Sequence, residues 1–306
     1  MSRDAVLLVG HGTIDHPSQL PEFLRRIRRG RPAPAALLEE LTRRYQAVGG
    51  SPLLRITEAQ AAGVSERLGL PCHVAMRFWE PTLTSAAPEL MAYDRVVVLP
   101  VAPYSVHVYS QVAREALSAL PRAPELLTVE PYGAHPLYLA AWASLIRKEM
   151  NGATLPSAAL DARPELLLTA HSLPLSVIQA GDPYRALVEA SAAALLAQLG
   201  SEGRVVYQSE GGEGVWLGPS LLEHLRALGG ALPRGEALRE PAAREIWVAP
   251  LGFVADHIET LYDLDVEALA VARDAGLKLR RVPALNTHPL FLDCLAEVAE
   301  AALSGR

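Results

Sequence analysis

Three groups of residues have types and spacings that can do chemistry. The first is a pair of histidines, each closing a short apolar run: His11 after Leu7-Leu8-Val9-Gly10, and His171 after Leu167-Leu168-Thr169-Ala170. Imidazole titrates near neutrality and serves as proton acceptor or metal ligand. In open parallel sheets ligands bind beyond the carboxyl ends of the strands, so both histidines stand where a cleft is expected. Capping a turn is the plainer role for either one alone. The second group lies in Gly252-Phe-Val-Ala-Asp-His-Ile-Glu-Thr-Leu-Tyr-Asp-Leu-Asp-Val-Glu267. In a helix starting near Asp256, residues four apart share a face, so Glu259, Asp263 and Glu267 form an acidic row. Such a row repels itself and serves hard divalent cations or travelling protons. A hydrated helix face is one alternative; Glu259 as the third residue of a capped turn behind Asp256 is another. The third group is Arg25, Arg26, Arg28, Arg29 and Arg31, five guanidiniums within seven residues. Guanidinium stays charged and grips carboxylate bidentately, which suits a ligand with several carboxylates; a solvated face is the alternative.

These residues need elements to hold them. Short β-branched runs alternate with longer Ala/Leu/Glu/Arg segments of helical period, the pattern of an α/β fold with parallel sheets covered by helices. Strands are predicted near 5–10, 72–78, 95–101, 126–130, 165–170, 204–208, 245–250 and 277–282, in two sets of four. The sets echo each other: a histidine strand opens each, and Val96-Val-Val-Leu-Pro100 resembles Ile246-Trp-Val-Ala-Pro250. An internal duplication is the expectation. It gives two similar Rossmann-like halves, 1–135 and 136–306, each a four-stranded parallel sheet flanked by helices. The first carries a helical flap at about 17–69, with helices over 17–29, 33–48 and 57–69. Pro32 and Pro34 open the second of these, and Gly49-Gly50-Ser51-Pro52 closes it. Asp182 reads as an N-cap with Pro183 at the first helical position. A last helix near 288–303 packs on its own half or on the first.

Composition narrows the function. Half of the 306 residues are apolar and a fifth charged, enough for a sizeable core and for two domains. A net charge of −6 gives no global attraction to nucleic acid or an anionic membrane, and no recognition-helix pattern accompanies the arginines. No export signal is visible, and no apolar run approaches the roughly 18 residues of a transmembrane helix. Cys72 and Cys294 are the only cysteines, which excludes a four-thiolate zinc or iron–sulfur site and fits a reducing cytoplasm. Gly10-His11-Gly12-Thr13-Ile14-Asp15 lacks both the dinucleotide fingerprint and the P-loop lysine, and no serine sits in a G-x-S-x-G elbow. Dehydrogenase and serine hydrolase chemistry are both disfavoured.

Further segments, taken in order, resemble the ferrochelatase family over nearly the whole chain. Ile27-Arg-Arg-Gly-Arg-Pro32, Tyr45 with Gly49-Gly-Ser-Pro52, and Ile56-Thr-Glu-Ala-Gln60 are similar to the family's amino-terminal flap. Ala75-Met-Arg77 with Glu80-Pro81 follows. Thr169-Ala-His-Ser-Leu-Pro174 is similar to the motif that holds the family's catalytic histidine. Gly181-Asp-Pro-Tyr184, Tyr207-Gln-Ser-Glu210, Trp216-Leu-Gly-Pro219 and Gly252-Phe-Val-Ala-Asp-His-Ile-Glu259 complete the order. The arginine-rich flap, the spacing from His11 to Tyr45 and the lack of a cysteine-rich tail look most like the coproporphyrin-using branch.

The resemblance implies a lyase of heme biosynthesis that inserts Fe²⁺ into coproporphyrin III in a cleft between two domains, releasing the two ring N–H protons. It implies that His171 and Glu259 are catalytic and that Asp263 and Glu267 continue the metal side of the site. His11 stands where this branch usually has a tyrosine and is a candidate axial contact from the opposite face. Arg28, Arg29, Tyr45, Ser51, Gln60, Arg77 and Ser209 align with positions near the tetrapyrrole or its carboxylates. No organic cofactor and no iron–sulfur cluster are expected; Fe²⁺ is a substrate, and the acidic row is a candidate for a structural or regulatory divalent metal. Expected partners are porphyrin, iron and a heme-type product, with no nucleic acid and no transmembrane segment, for a cytoplasmic monomer. The loop Val101-Ala-Pro-Tyr-Ser-Val-His107 is shorter than the family's usual serine- and threonine-bearing loop, which bears on substrate choice. Rival readings are a protoporphyrin IX ferrochelatase, a cobaltochelatase, since Val9-Gly-His-Gly-Thr13 also resembles the small cobaltochelatases, and a tetrapyrrole carrier or regulator. The retention of both His171 and Glu259 counts against the carrier.

Overall fold

Strands that are apolar at nearly every position, rather than alternately, belong in the middle of parallel sheets with helices on both faces. The computed structural model describes residues 2–118, 120–152, 164–211, 214–230 and 244–305, and four strands of this kind build it. The chain forms two compact units: Met1–Tyr138 with Val254–Ile258 and Leu285–Arg306, and Leu139–Phe253 with Glu259–Ala284.

In the first unit β1 (Asp4–Gly10) leads through a 3-10 turn at Pro17–Gln19 into α1 (Leu20–Ile27), α2 (Ala35–Val48) and α3 (Leu53–Leu68). There follow β2 (Cys72–Met76), α4 (Leu83–Leu90), β3 (Arg95–Pro100), α5 (Val106–Leu117) and β4 (Glu125–Thr128). Helix α6 (Pro136–Gly152) runs on into the second unit, with β5 (Glu165–His171), α7 (Leu175–Gln179), α8 (Tyr184–Leu199), β6 (Gly203–Gln208), α9 (Leu221–Gly230) and β7 (Glu245–Ala249). A π-helix at Glu259–Ala268, α10 (Leu269–Asp274) and β8 (Lys278–Arg281) complete it, and the chain returns to the first unit as α11 (Pro289–Leu303).

The two parallel sheets have the orders β2-β1-β3-β4 and β6-β5-β7-β8, the same topology, as the sequence echo predicts. Their registers match as well, with Leu7 beside Val98 and Leu167 beside Val248. Strands β1, β3, β5 and β7 are buried along almost their whole length. In each sheet the two central strands send their onward connections in opposite directions, the place where such sheets bind ligands.

The flap builds its own small core from Ile14, Leu20, Phe23, Leu24 and Tyr45. Its first helix is shorter than the predicted 17–29, because it opens as the 3-10 turn and unwinds at Arg29, whose φ is 54°. Helix α2 ends on Gly49 at φ 80°, a left-handed cap that a Cβ would resist. The third helix starts at Leu53, directly behind Pro52, rather than at 57. At the far end of the chain, α11 packs on α3 and β3. A Cβ on Gly63 of α3 would lie 2.6 Å from Leu292 Cδ1, and Arg67 bonds Asp293 at 2.5 Å. Among the described residues no helix is long and apolar enough to cross a membrane.

Candidate active site

His171 is the last residue of β5, and its surroundings determine how the ring is presented. Nδ1 is hydrogen-bonded to the backbone carbonyl of Ser172. A carbonyl only accepts, so Nδ1 carries the proton and Nε2 of the neutral ring keeps its lone pair. Nε2 lies 3.7 Å from Glu259 Oε2, with the two side chains 36% and 33% exposed. The turn itself is pinned. The Tyr184 hydroxyl donates to the His171 carbonyl at 2.9 Å, the Ser172 hydroxyl to the Leu217 carbonyl at 2.7 Å, and the Ser172 amide to the Gln208 carbonyl at 2.7 Å. Gly252 lets the chain after β7 close on β5, where a Cβ would sit 2.8 Å from Ala170 Cα. The arrangement is an imidazole of fixed tautomer whose free nitrogen faces a carboxylate.

Glu259 opens a π-helix, not the α-helix expected from near Asp256. Asp256 is tied instead to Asn286, whose side-chain oxygen accepts the Asp256 amide at 2.8 Å and whose amide donates to the Asp256 carboxylate at 2.8 Å. Helical backbone begins at Ile258, so Glu259 is not the third residue behind a cap at Asp256, which removes the capped-turn alternative. Leu264 and Ala268 take the face toward the core of the second unit, and the acidic row runs one residue ahead of them. Glu259 and Glu267 are half-buried, while Asp263 is 5% exposed. A buried carboxylate needs donors, and the Ser209 hydroxyl supplies one to Asp263. Gln208 Nε2 donates to the Glu259 backbone carbonyl at 3.2 Å. The row is spread along the helix. Among the described residues no three His, Cys, Asp or Glu side chains are placed to hold a metal ion, so the divalent-metal expectation finds no closed ligand set.

In the first unit, His11 follows β1 and is exposed. Its Nδ1 lies 3.0 Å from the Tyr109 hydroxyl, and its ring meets Phe78 edge-on at 4.8 Å. The Arg77 guanidinium sits over Phe78 at 4.7 Å and Tyr109 at 5.7 Å, with no acidic partner among the described residues. The flap arginines divide into two sets. Arg25 and Arg26 bond Glu22 at 2.7 and 3.1 Å, and their hydrogen bonds hold its carboxyl down at about 2. Arg26 also reaches Glu80 at 3.1 Å and stacks on Trp79 at 4.7 Å. Arg28 and Arg31 donate only to backbone carbonyls, and Arg29 is exposed. Among the described residues these last three meet no carboxylate.

Two residues placed near a ligand by motif lie inside the unit. Tyr45 is 2% exposed, its hydroxyl 3.0 Å from Thr13 Oγ1. Gln60 is 0% exposed and donates to the carbonyls of Val254 and Asn286 at 3.2 and 2.9 Å. Both hold the flap together rather than present a side chain at a surface. Ser51 Oγ is buried without a hydrogen-bond partner among the described residues. The short loop after β3 turns Tyr104 into the core, 2% exposed. Burial pushes the Cys72 and Cys294 thiols up to about 11 and about 12, so neither is a nucleophile or a ready metal ligand. Tyr109, Tyr184 and Gln208 are site neighbours that no sequence spacing assigns as contacts. Only the fold brings Tyr109 to His11, while Tyr184 and Gln208 belong to Gly181-Asp-Pro-Tyr184 and Tyr207-Gln-Ser-Glu210.

Comparison with solved structures places the fold. SirB from Bacillus subtilis with Fe³⁺ superposes at a TM-score of 0.58 and 13% identity, covering 99% of this chain and 98% of that one. CbiX, the terminal enzyme of siroheme biosynthesis in denitrifying bacteria, gives 0.55 and 19%, covering 97% and 99%. The two-sheet architecture is thus the fold these two structures share. A family model described as ferrochelatase matches residues 3–303. A ferrochelatase of Thermus thermophilus is 34% identical, covering 97% of this chain and 98% of the relative. A coproporphyrin III ferrochelatase of Geobacillus kaustophilus is also 34% identical, covering 96% and 94%. The chain belongs to the ferrochelatase family: it is a metal chelatase of heme biosynthesis, with Fe²⁺ and a porphyrin as substrates.

Proposed function

We propose that the porphyrin is coproporphyrin III and that His171 is the base that removes the pyrrole protons. The carrying observation is the pair His171 Nε2 and Glu259 Oε2, 3.7 Å apart, with Nδ1 committed to the Ser172 carbonyl. A proton taken at Nε2 is stabilised at once by Glu259 and passes toward Asp263 and Glu267, or Fe²⁺ arrives along the same row. Carboxylates in series, without a closed cage, favour passage over storage. Among the described residues Arg28, Arg29, Arg31 and Arg77 are cations without acidic partners, suited to a substrate with more than two carboxylates. His11 offers iron an imidazole, a good ligand for Fe²⁺. The cytoplasm is the proposed compartment.

Purified protein given Fe²⁺ without oxygen, with coproporphyrin III and protoporphyrin IX in parallel, is expected to metallate the first faster, followed by absorbance. Equal or faster metallation of protoporphyrin IX overturns the substrate assignment, and binding without metallation makes the chain a tetrapyrrole carrier. His171→Ala is expected to abolish turnover while porphyrin Kd stays within about three-fold. Unchanged turnover removes His171 from the mechanism.

A further inference from the structure

We infer that Ser209 is a positioning residue for insertion, holding the Asp263 carboxylate in register with the His171–Glu259 pair. The inference rests on the reading of Asp263 as a carrier of protons or iron. Ser209 has a φ of 61°, a left-handed conformation that glycine adopts freely and a Cβ-bearing residue resists. Strain of this kind persists where the surroundings enforce it, and it concentrates at working sites. Here the strained residue aims its hydroxyl at the carboxylate of Asp263, which is 5% exposed and has little water to rely on. The residue before it ties in the rest of the site. Gln208 ends β6 in register with His171, accepts the Ser172 amide at 2.7 Å, and donates to the Glu259 carbonyl at 3.2 Å. Two consecutive residues therefore touch the turn that carries the base and the first two acids of the row. Any drift of the π-helix against β5 has to break these bonds.

Ser209→Gly separates a working role from a folding one, because losing the Cβ relieves the backbone at φ 61° while losing the hydroxyl removes the bond to Asp263. The melting temperature is expected to stay level or rise, with kcat falling about ten-fold and porphyrin KM unchanged within about two-fold. Ser209→Asn, which tolerates the left-handed region and offers an amide donor, is expected to restore most of kcat. In an Asp263→Asn background, Ser209→Gly is expected to have little further effect, since the partner is already altered. Wild-type kcat in Ser209→Gly, or a loss that simply adds to that of Asp263→Asn, overturns the inference. Wild-type kcat in Asp263→Asn sinks the reading of the row instead, and so separates the two failures.

Discussion

A charge already paired within the protein is not free to grip a substrate. Arg25 and Arg26 share Glu22, whereas Arg28, Arg29 and Arg31 face no acid among the described residues. Arg28→Ala and Arg29→Ala are each expected to raise KM for coproporphyrin III about ten-fold at fixed Fe²⁺, and Arg25→Ala to leave it within about two-fold. Steady-state rates across a porphyrin series check this, and equal effects from all three would return the cluster to a plain solvated face. The sequence presents the five arginines as one cluster; the structure divides them, because Glu22 stands three and four residues before Arg25 and Arg26 and shares their helical face. In the sequence His171 stands out at the end of an apolar run and Glu259 as the first of three acids spaced four apart. The burial of Gln60 and Tyr45 is not legible there. A motif match assigns a residue to the neighbourhood of a ligand without separating contact from support, and that distinction needs the packing of α3 against the returning segments.

The π-helix shows what periodicity leaves open at the level of an element. In an α-helix of 3.6 residues per turn a step of four overshoots one turn, and in the wider π-turn it falls short. Acids four apart line up in both, so the row is readable and the helix type is not. Tertiary contacts accompany the wider turn: Asp265 meets Arg281 of β8 through two contacts of 2.6 and 2.9 Å, while Tyr262, Leu264 and Ala268 are buried. Deleting exposed Val266 shortens the π-helix between Asp263 and Glu267. It is expected to turn Glu267 off the row and lower kcat about ten-fold, with the melting temperature changed by only a few degrees. Unchanged kcat places Glu267 outside the path. The strands, by contrast, are read to within a few residues, because β-branched runs bounded by glycine and proline leave little choice. The edge strands β4 and β8, four residues each, are the least buried and the least sharply bounded.

At the scale of the molecule the chain is not divided by one cut. The sequence shows an apolar periodic segment near 288–303 but not its destination, since the same stripe suits either half. In the structure α11 belongs to the first unit, with Phe291 and Leu295 fully buried. Leu295→Ala is expected to cost about 2–5 kcal/mol of stability, measured by urea unfolding. Hydrogen exchange is expected to show β3 amides losing protection before those of β5; equal loss in both would mean that the units open only together. The same path has a consequence for how the protein is made. A ribosome that has released β1 to β4 has not yet encoded Leu285–Arg306, so the first sheet waits through synthesis of the whole second unit with the apolar seat of α11 uncovered. Nascent chains that carry β1 to β4 but still lack α11 are the species expected to need shielding by chaperones.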